Sequence, residues 1–176
     1  MNLQALAGET ATASTDPNFN NNTFEEKFNN GWLKWYYYAS AICAIAYLLN
    51  GTNCVWTGLS WLGSYFTYAI ALFATGAAYV ILGLSFFLQF QAIKTRSLEK
   101  QDMAIRICQL FIVANLGCGV AQGLFHPSAG LIGSIISAAI FSAFGCAYLF
   151  VALNVKRIML GKSEESFRFD KSAFQA

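Results

Sequence analysis

From Gly130 to Asn154 the chain runs for twenty-five residues, GLIGSIISAAIFSAFGCAYLFVALN, without one acidic or basic side chain. That length and composition suit a transmembrane helix. Small residues recur at every fourth position within it, at Gly130, Ser134, Ala138, Ser142 and Cys146. Lipid supplies no hydrophobic drive between helices, so small side chains matter because they let two backbones approach and gain dispersion contacts. Each four-residue step advances about 40° past a full turn, so the stripe winds and suits a crossing partner. The stretch reads as the helix against which the others pack.

Three further apolar runs precede it. Of 176 residues, 56% are hydrophobic and only 11% charged, where a soluble domain carries about a quarter charged residues. The expected fold is an all-α integral membrane protein, a four-helix bundle with spans at about 33–55, 62–91, 104–125 and 130–154. One membrane domain, 23–155, then accounts for most of the chain, with a flexible polar arm at 1–22 and a charged, aromatic tail at 156–176. The net charge of +2 is small and the bases are scattered, which argues against a nucleic-acid partner. The first nineteen residues lack Lys and Arg but contain Glu9 and Asp16, unlike a secretory signal or a mitochondrial presequence. Insertion is expected to rely on the first span as an uncleaved signal, which leaves open the mitochondrial inner membrane, an endomembrane or the plasma membrane.

Thr23-Phe-Glu-Glu26 fits a capping box with Thr23 as N-cap. Phe24, Phe28 and Trp32 follow at helical spacing, predicting a short amphipathic helix on the membrane surface with its rings among the headgroups. Trp32, Trp35 and Tyr36-Tyr37-Tyr38 lie at one end of the first span, Trp56 and Trp61 at the other, as the aromatic belts of two interfaces do. Lys94, Arg96, Lys100 and Arg106 cluster around the second connection, and Lys156, Arg157 and Lys162 follow the fourth span. The first and third connections have no Lys or Arg, so both termini are expected on the cytoplasmic or matrix side. Asn21 and Asn50 each begin a glycosylation sequon, read as chance matches given their expected locations.

The third span carries Asn115 and Gln122, which with Cys108 repeat at seven, and a GxxxG pair, Gly119 and Gly123. These residues share one helical face, and amides in lipid need partners, so that face should look at protein. The expected packing residues are therefore Gly119, Gly123, Gly130, Ser134, Ala138 and Ser142, and the expected intramembrane polar residues are Asn115 and Gln122. Lining of a polar substrate path by the two amides is the alternative to interhelical hydrogen bonding.

Catalytic chemistry finds little support. The apolar parts of the spans contain no carboxylate for a proton relay. His126, the single histidine, precedes Pro127 and reads as a turn residue rather than a haem or pigment ligand. No serine has a histidine and acid arranged beside it, no glycine-rich phosphate loop is present, and the five cysteines lack metal-ligand spacing. Neither catalytic, cofactor nor metal residues are expected, and no cofactor beyond bound lipid. The expected function is that of a non-catalytic structural or accessory subunit of a larger membrane complex, such as an energy-transducing one, with other membrane subunits, lipids or a second copy as partners. A free-standing tetraspan organiser of membranes or vesicles is the alternative, and its topology resembles that of claudin- and MARVEL-type proteins. The stretch Asn53–Trp61, however, has one cysteine and lacks the claudin pair after Gly-Leu-Trp. A small oligomeric channel or transporter is the third reading; against it, proline occurs only at 17 and 127, so no span is broken by proline as transporter spans often are.

Overall fold

The structure, a computed structural model, describes residues 16–125 and 131–162. Among these, five helices and no strand occur: α1 (Asn21–Asn30), α2 (Leu33–Trp61), α3 (Phe66–Thr95), α4 (Leu98–Phe125) and α5 (Leu131–Met159). The four long ones are apolar and extended enough to cross a membrane, so the chain is a helical protein compatible with multi-pass insertion. His126 and Gly130, residues 1–15 of the N-terminal arm and the tail from 163, with Phe167, Phe169 and Phe174, lie outside the described residues.

Each long helix packs on its neighbour in sequence, α2 on α3, α3 on α4 and α4 on α5. The hub is α3. Of its most apolar stretch 56% is buried, against 28% for α4 and α5 and 17% for α2. The fourth apolar run therefore is not the centre that its small stripe suggested, because the most apolar stretch of α3 is twice as buried as that of α5.

The spans are longer than their apolar cores. The first was expected to end near Val55, yet α2 continues through Asn53–Trp61, and only Leu62–Tyr65 turns back, with Tyr65 N–H donating to the Trp61 carbonyl at 2.8 Å. The charged connection expected at 92–103 shrinks to Arg96-Ser97. Charged residues end a membrane span, but they do not end a helix, and here helix continues past the apolar limit on both sides. The break comes from backbone geometry. Arg96 takes the left-handed conformation, φ 51°, and Ser97 N–H bonds the Ala92 carbonyl at 3.1 Å, closing a Schellman motif on a residue that costs about 1–2 kcal/mol more there than glycine. The Ser97 hydroxyl then accepts from Lys100 N–H at 3.3 Å and starts α4. Helix α5 ends in the same motif, with Gly161 at φ 67° and Lys162 N–H on the Arg157 carbonyl at 3.0 Å.

Glycine sets the α2–α3 contact. Ala44, Gly51 and Gly58 are buried at intervals of seven on α2. A Cβ on Gly83 would stand 3.2 Å from the Ala44 carbonyl, and one on Gly58 would strike the Phe73 ring at 2.6 Å. Between α2, α3 and α5 the space is filled by rings in sequence: Tyr36–Tyr148, Tyr148–Phe86 at 3.9 Å, Phe86–Tyr47, Tyr47–Tyr79 and Tyr79–Phe141. Aromatic pairs of this kind add about 0.5–1.5 kcal/mol beyond their area.

The two hairpins are offset. Gln122, three residues from the end of α4, meets Thr75, nine residues into α3. The α2–α3 hairpin therefore projects by about six residues, or roughly 9 Å at 1.5 Å per residue.

At the opposite end α1 closes the bundle. Its N-cap is Asn20, whose side chain accepts from Thr23 N–H at 3.0 Å. This replaces the expected Thr23 capping box, as asparagine is the stronger cap and lies three residues upstream. Phe19 and Phe24 are buried among Leu33, Ala92, Ile93, Leu98, Val155, Ile158 and Met159, and Phe28 stacks on Phe24. Two of the three rings expected among headgroups thus pack on the bundle; only Trp32 stays exposed. Burial of Phe19 and Phe24 stabilises the closure by about 1.5–3 kcal/mol each.

Candidate functional site

The polar side chains within the bundle form a ladder along α4. Gln101, Cys108, Asn115 and Gln122 repeat at seven and lie along the face towards α3 and α5. Gln101 donates to the Gln89 carboxamide oxygen at 2.8 Å and to the Ala152 carbonyl at 2.7 Å, and Gln89 donates back at 2.6 Å. Both glutamines are fully buried, and this knot ties α3, α4 and α5 at one level. Beside it the Ser85 hydroxyl donates to the Ala104 carbonyl at 2.6 Å, and the Tyr148 hydroxyl donates to the Ser85 carbonyl at 3.2 Å. The Tyr36 hydroxyl is buried nearby without a hydrogen-bond partner among the described residues.

One rung further, Cys108 donates its S–H to the Gly145 carbonyl at 3.5 Å. Asn115 donates to the Ala138 carbonyl and the Ser142 hydroxyl, both at 3.3 Å. Gln122 donates to the Thr75 hydroxyl. Both sequence-identified amides thus bond to neighbouring helices. Gly119 sits so close to α5 that a Cβ there would overlap the Ala138 methyl, and one on Gly123 would stand 3.0 Å from the Ser134 Cβ. Ser134, Ala138 and Ser142 therefore face α4, while Cys146 is exposed. Gly145, against Phe111 and Ile112, takes the next place, because the four-residue stripe winds off the contact whereas a seven-residue interval, Ala138 to Gly145 to Ala152, stays on it.

Sequence reasoning passed over Gln89 and Gln101, the most buried amides. Gln101 lies among the charged residues that suggest a connection, although stepping seven residues back from Cys108 reaches it.

A second polar cluster joins α1 to the bundle. Arg96 donates to Glu25 at 3.0 Å and to Asn21 at 3.2 Å, and its guanidinium lies 5.6 Å from the centre of the Phe24 ring. Asn20 N–H bonds the Met159 carbonyl at 2.7 Å. Asp102 and Lys156 pair at 2.8 Å between α4 and α5. Of the two sequons, Asn21 is thus engaged by Arg96, and Asn50 is an exposed residue in the middle of α2.

The ladder is built from carboxamides, hydroxyls and a thiol. Carboxamides carry no charge at any physiological pH and exchange no proton, so what they do here is fix register between helices. Among the described residues no three His, Cys, Asp or Glu side chains converge as metal ligands would. Comparison with protein-family models, with curated proteins and with solved structures finds no match in any of the three.

Proposed function

We propose that the protein works by assembly, as a non-catalytic structural or accessory subunit of a larger membrane complex. The observation that carries this reading is the use of the amides that face into the bundle: Gln89, Gln101, Asn115 and Gln122 all spend their hydrogen bonds on other helices. A substrate path would need polar groups turned towards a cavity. The outer faces, by contrast, carry Ile132, Ile136, Ile140 and Phe144 on α5 and Val113, Leu116 and Val120 on α4, surfaces suited to lipid or to other spans. In this reading both termini and the Arg96 turn lie on the cytoplasmic or matrix side, following the basic residues. Helix α1 lies at that interface with Trp32 towards the headgroups, while Phe24 holds it to the bundle.

Native electrophoresis in mild detergent tests the proposal. Co-migration of the protein with a complex of fixed, larger size supports it. Migration as a free species, together with a saturable solute flux in liposomes that Asn115→Leu abolishes, would replace it with the transporter reading.

A further inference from the structure

Helix α2 is the least buried span, yet its outward face is ordered. Trp35, Ile42, Leu49 and Trp56 stand at intervals of seven and are 78%, 68%, 65% and 73% exposed. Four residues after each comes a smaller exposed one: Ala39, Ala46, Asn53 and Ser60. Nine residues on a helix are about 900°, half a turn from the start, so Trp35, Ile42 and Leu49 lie opposite Ala44, Gly51 and Gly58, the seam that grips α3. The helix carries two sevenfold faces back to back, and the described residues cover only one.

Lipid asks of a helix only that it be apolar; it does not select a seven-residue period or an amide. The other hydroxyl residues near this face satisfy themselves: Thr52 donates to the Leu48 carbonyl, Thr57 to that of Asn53 and Ser60 to that of Thr57. The Asn53 carboxamide has no partner among the described residues. Its depth is that of the Gln122–Thr75 pair, since Gly51 abuts Gly76, one turn inside the end of α4. An uncompensated amide there is costly.

We infer that this face of α2 is a dimer seam whose occupant is a second copy of the same chain. Copies inserted with one topology are parallel, so a two-fold axis beside α2 sets every residue against its own counterpart. A carboxamide both donates and accepts, so Asn53 meeting Asn53 satisfies itself. Large and small residues then alternate along the seam as knobs and holes, with Leu49 at a d position and Asn53 at an a position, where one asparagine fixes register and favours a pair. Asn50 flanks the seam one residue after Leu49. The inference rests on the assembly reading above and names a surface and an occupant for it.

The test uses the full chain, carrying donor or acceptor fluorophores after Ala176, reconstituted in liposomes at falling protein-to-lipid ratios. Energy transfer should persist on dilution in the wild type. Asn53→Leu and Ala46→Leu should each weaken association about three- to thirtyfold, the reach of an interhelical hydrogen bond or one overfilled layer. Val113→Ala, on the exposed face of α4, should leave it unchanged. If either α2 variant loses its helical circular dichroism, a photo-crosslinking residue at Leu49 in the otherwise native chain decides, giving a dimer-sized adduct that the same residue at Val113 does not give. No transfer in the wild type, or transfer indifferent to both α2 substitutions, overturns the inference. A wild-type chain that co-migrates with a larger complex but shows no self-transfer leaves the assembly reading standing and removes only the dimer. Release from that complex by Asn53→Leu would then assign the face to a different protein.

Discussion

Gly51 and Gly76 meet backbone to backbone, and a Cβ built on either would stand 2.9 Å from the carbonyl oxygen of the other. Neither neighbour can yield by rotating a side chain, so the α2–α3 separation at this level is set by two hydrogens. Gly76→Ala should destabilise the protein by about 1–3 kcal/mol despite alanine's better helix propensity, because overpacking outweighs it. Gly63→Ala, in the turn with nothing within 4 Å of the added carbon, is the control. Thermal unfolding in detergent followed by circular dichroism reads both.

On the other seam, Gly119→Ala should be the costlier of two adjacent glycine substitutions. Its methyl would overlap that of Ala138, whereas Gly117 has open space around it. Gly117→Ala should be neutral or stabilising by up to about 1 kcal/mol. Equal melting temperatures for the two variants would show that α4 and α5 do not approach as described.

The Gln89–Gln101 pair lends itself to a double-mutant cycle. Each single leucine substitution strands a buried amide and should cost about 1–3 kcal/mol. The double variant should cost less than the sum, with a coupling of about 0.6–1.7 kcal/mol, the span found for interhelical hydrogen bonds in membranes. Additive losses would mean the two side chains do not bond.

Replacement of Arg96 separates two effects. Arg96→Gly relieves a left-handed non-glycine residue, worth about 1 kcal/mol, and removes the contacts to Asn21, Glu25 and Phe24. The bundle should keep its melting temperature within a few degrees, while amide hydrogen exchange in α1 accelerates. Unchanged protection of residues 21–30 would show that burial of Phe24 alone holds the helix.

Sidedness is checked by labelling single cysteines in sealed vesicles. Ser97→Cys and Lys162→Cys should react from one side, and Gly63→Cys from the other. Opposite reactivity of Ser97→Cys and Lys162→Cys would overturn the proposed arrangement of the termini.

The four long apolar helices were legible because each apolar run exceeds what a soluble core needs, and the Cys108–Asn115–Gln122 face was legible because amides are rare in such runs. Helix ends were not. Nothing local distinguishes Trp56–Trp61 as helix rather than loop, and the turn at Arg96 violates the preference for glycine at that position. Gly51, Gly76 and Gly83 went unnoticed for a related reason. A glycine in an apolar helix says that something comes close only after the partner helix and its register are known. The seat of α1 was hidden too, since the residues that bury Phe24 come from Leu33, from the far end of α3 and from the last turn of α5.

That seat has a consequence for how the protein is made. Helix α1 leaves the ribosome before the four long helices, but Val155, Ile158 and Met159, which cover Phe19 and Phe24, and the Met159 carbonyl, which binds Asn20, are translated about 140 residues later. At roughly 5–20 residues per second that interval is about 7–28 seconds. During it the aromatic face of α1 finds only the part of its seat that Leu33, Ala92, Ile93 and Leu98 supply, and the side that α5 will cover stays open. Helix α1 is made before the four long helices yet is fully seated only after α5, and its docking reports that α5 has arrived.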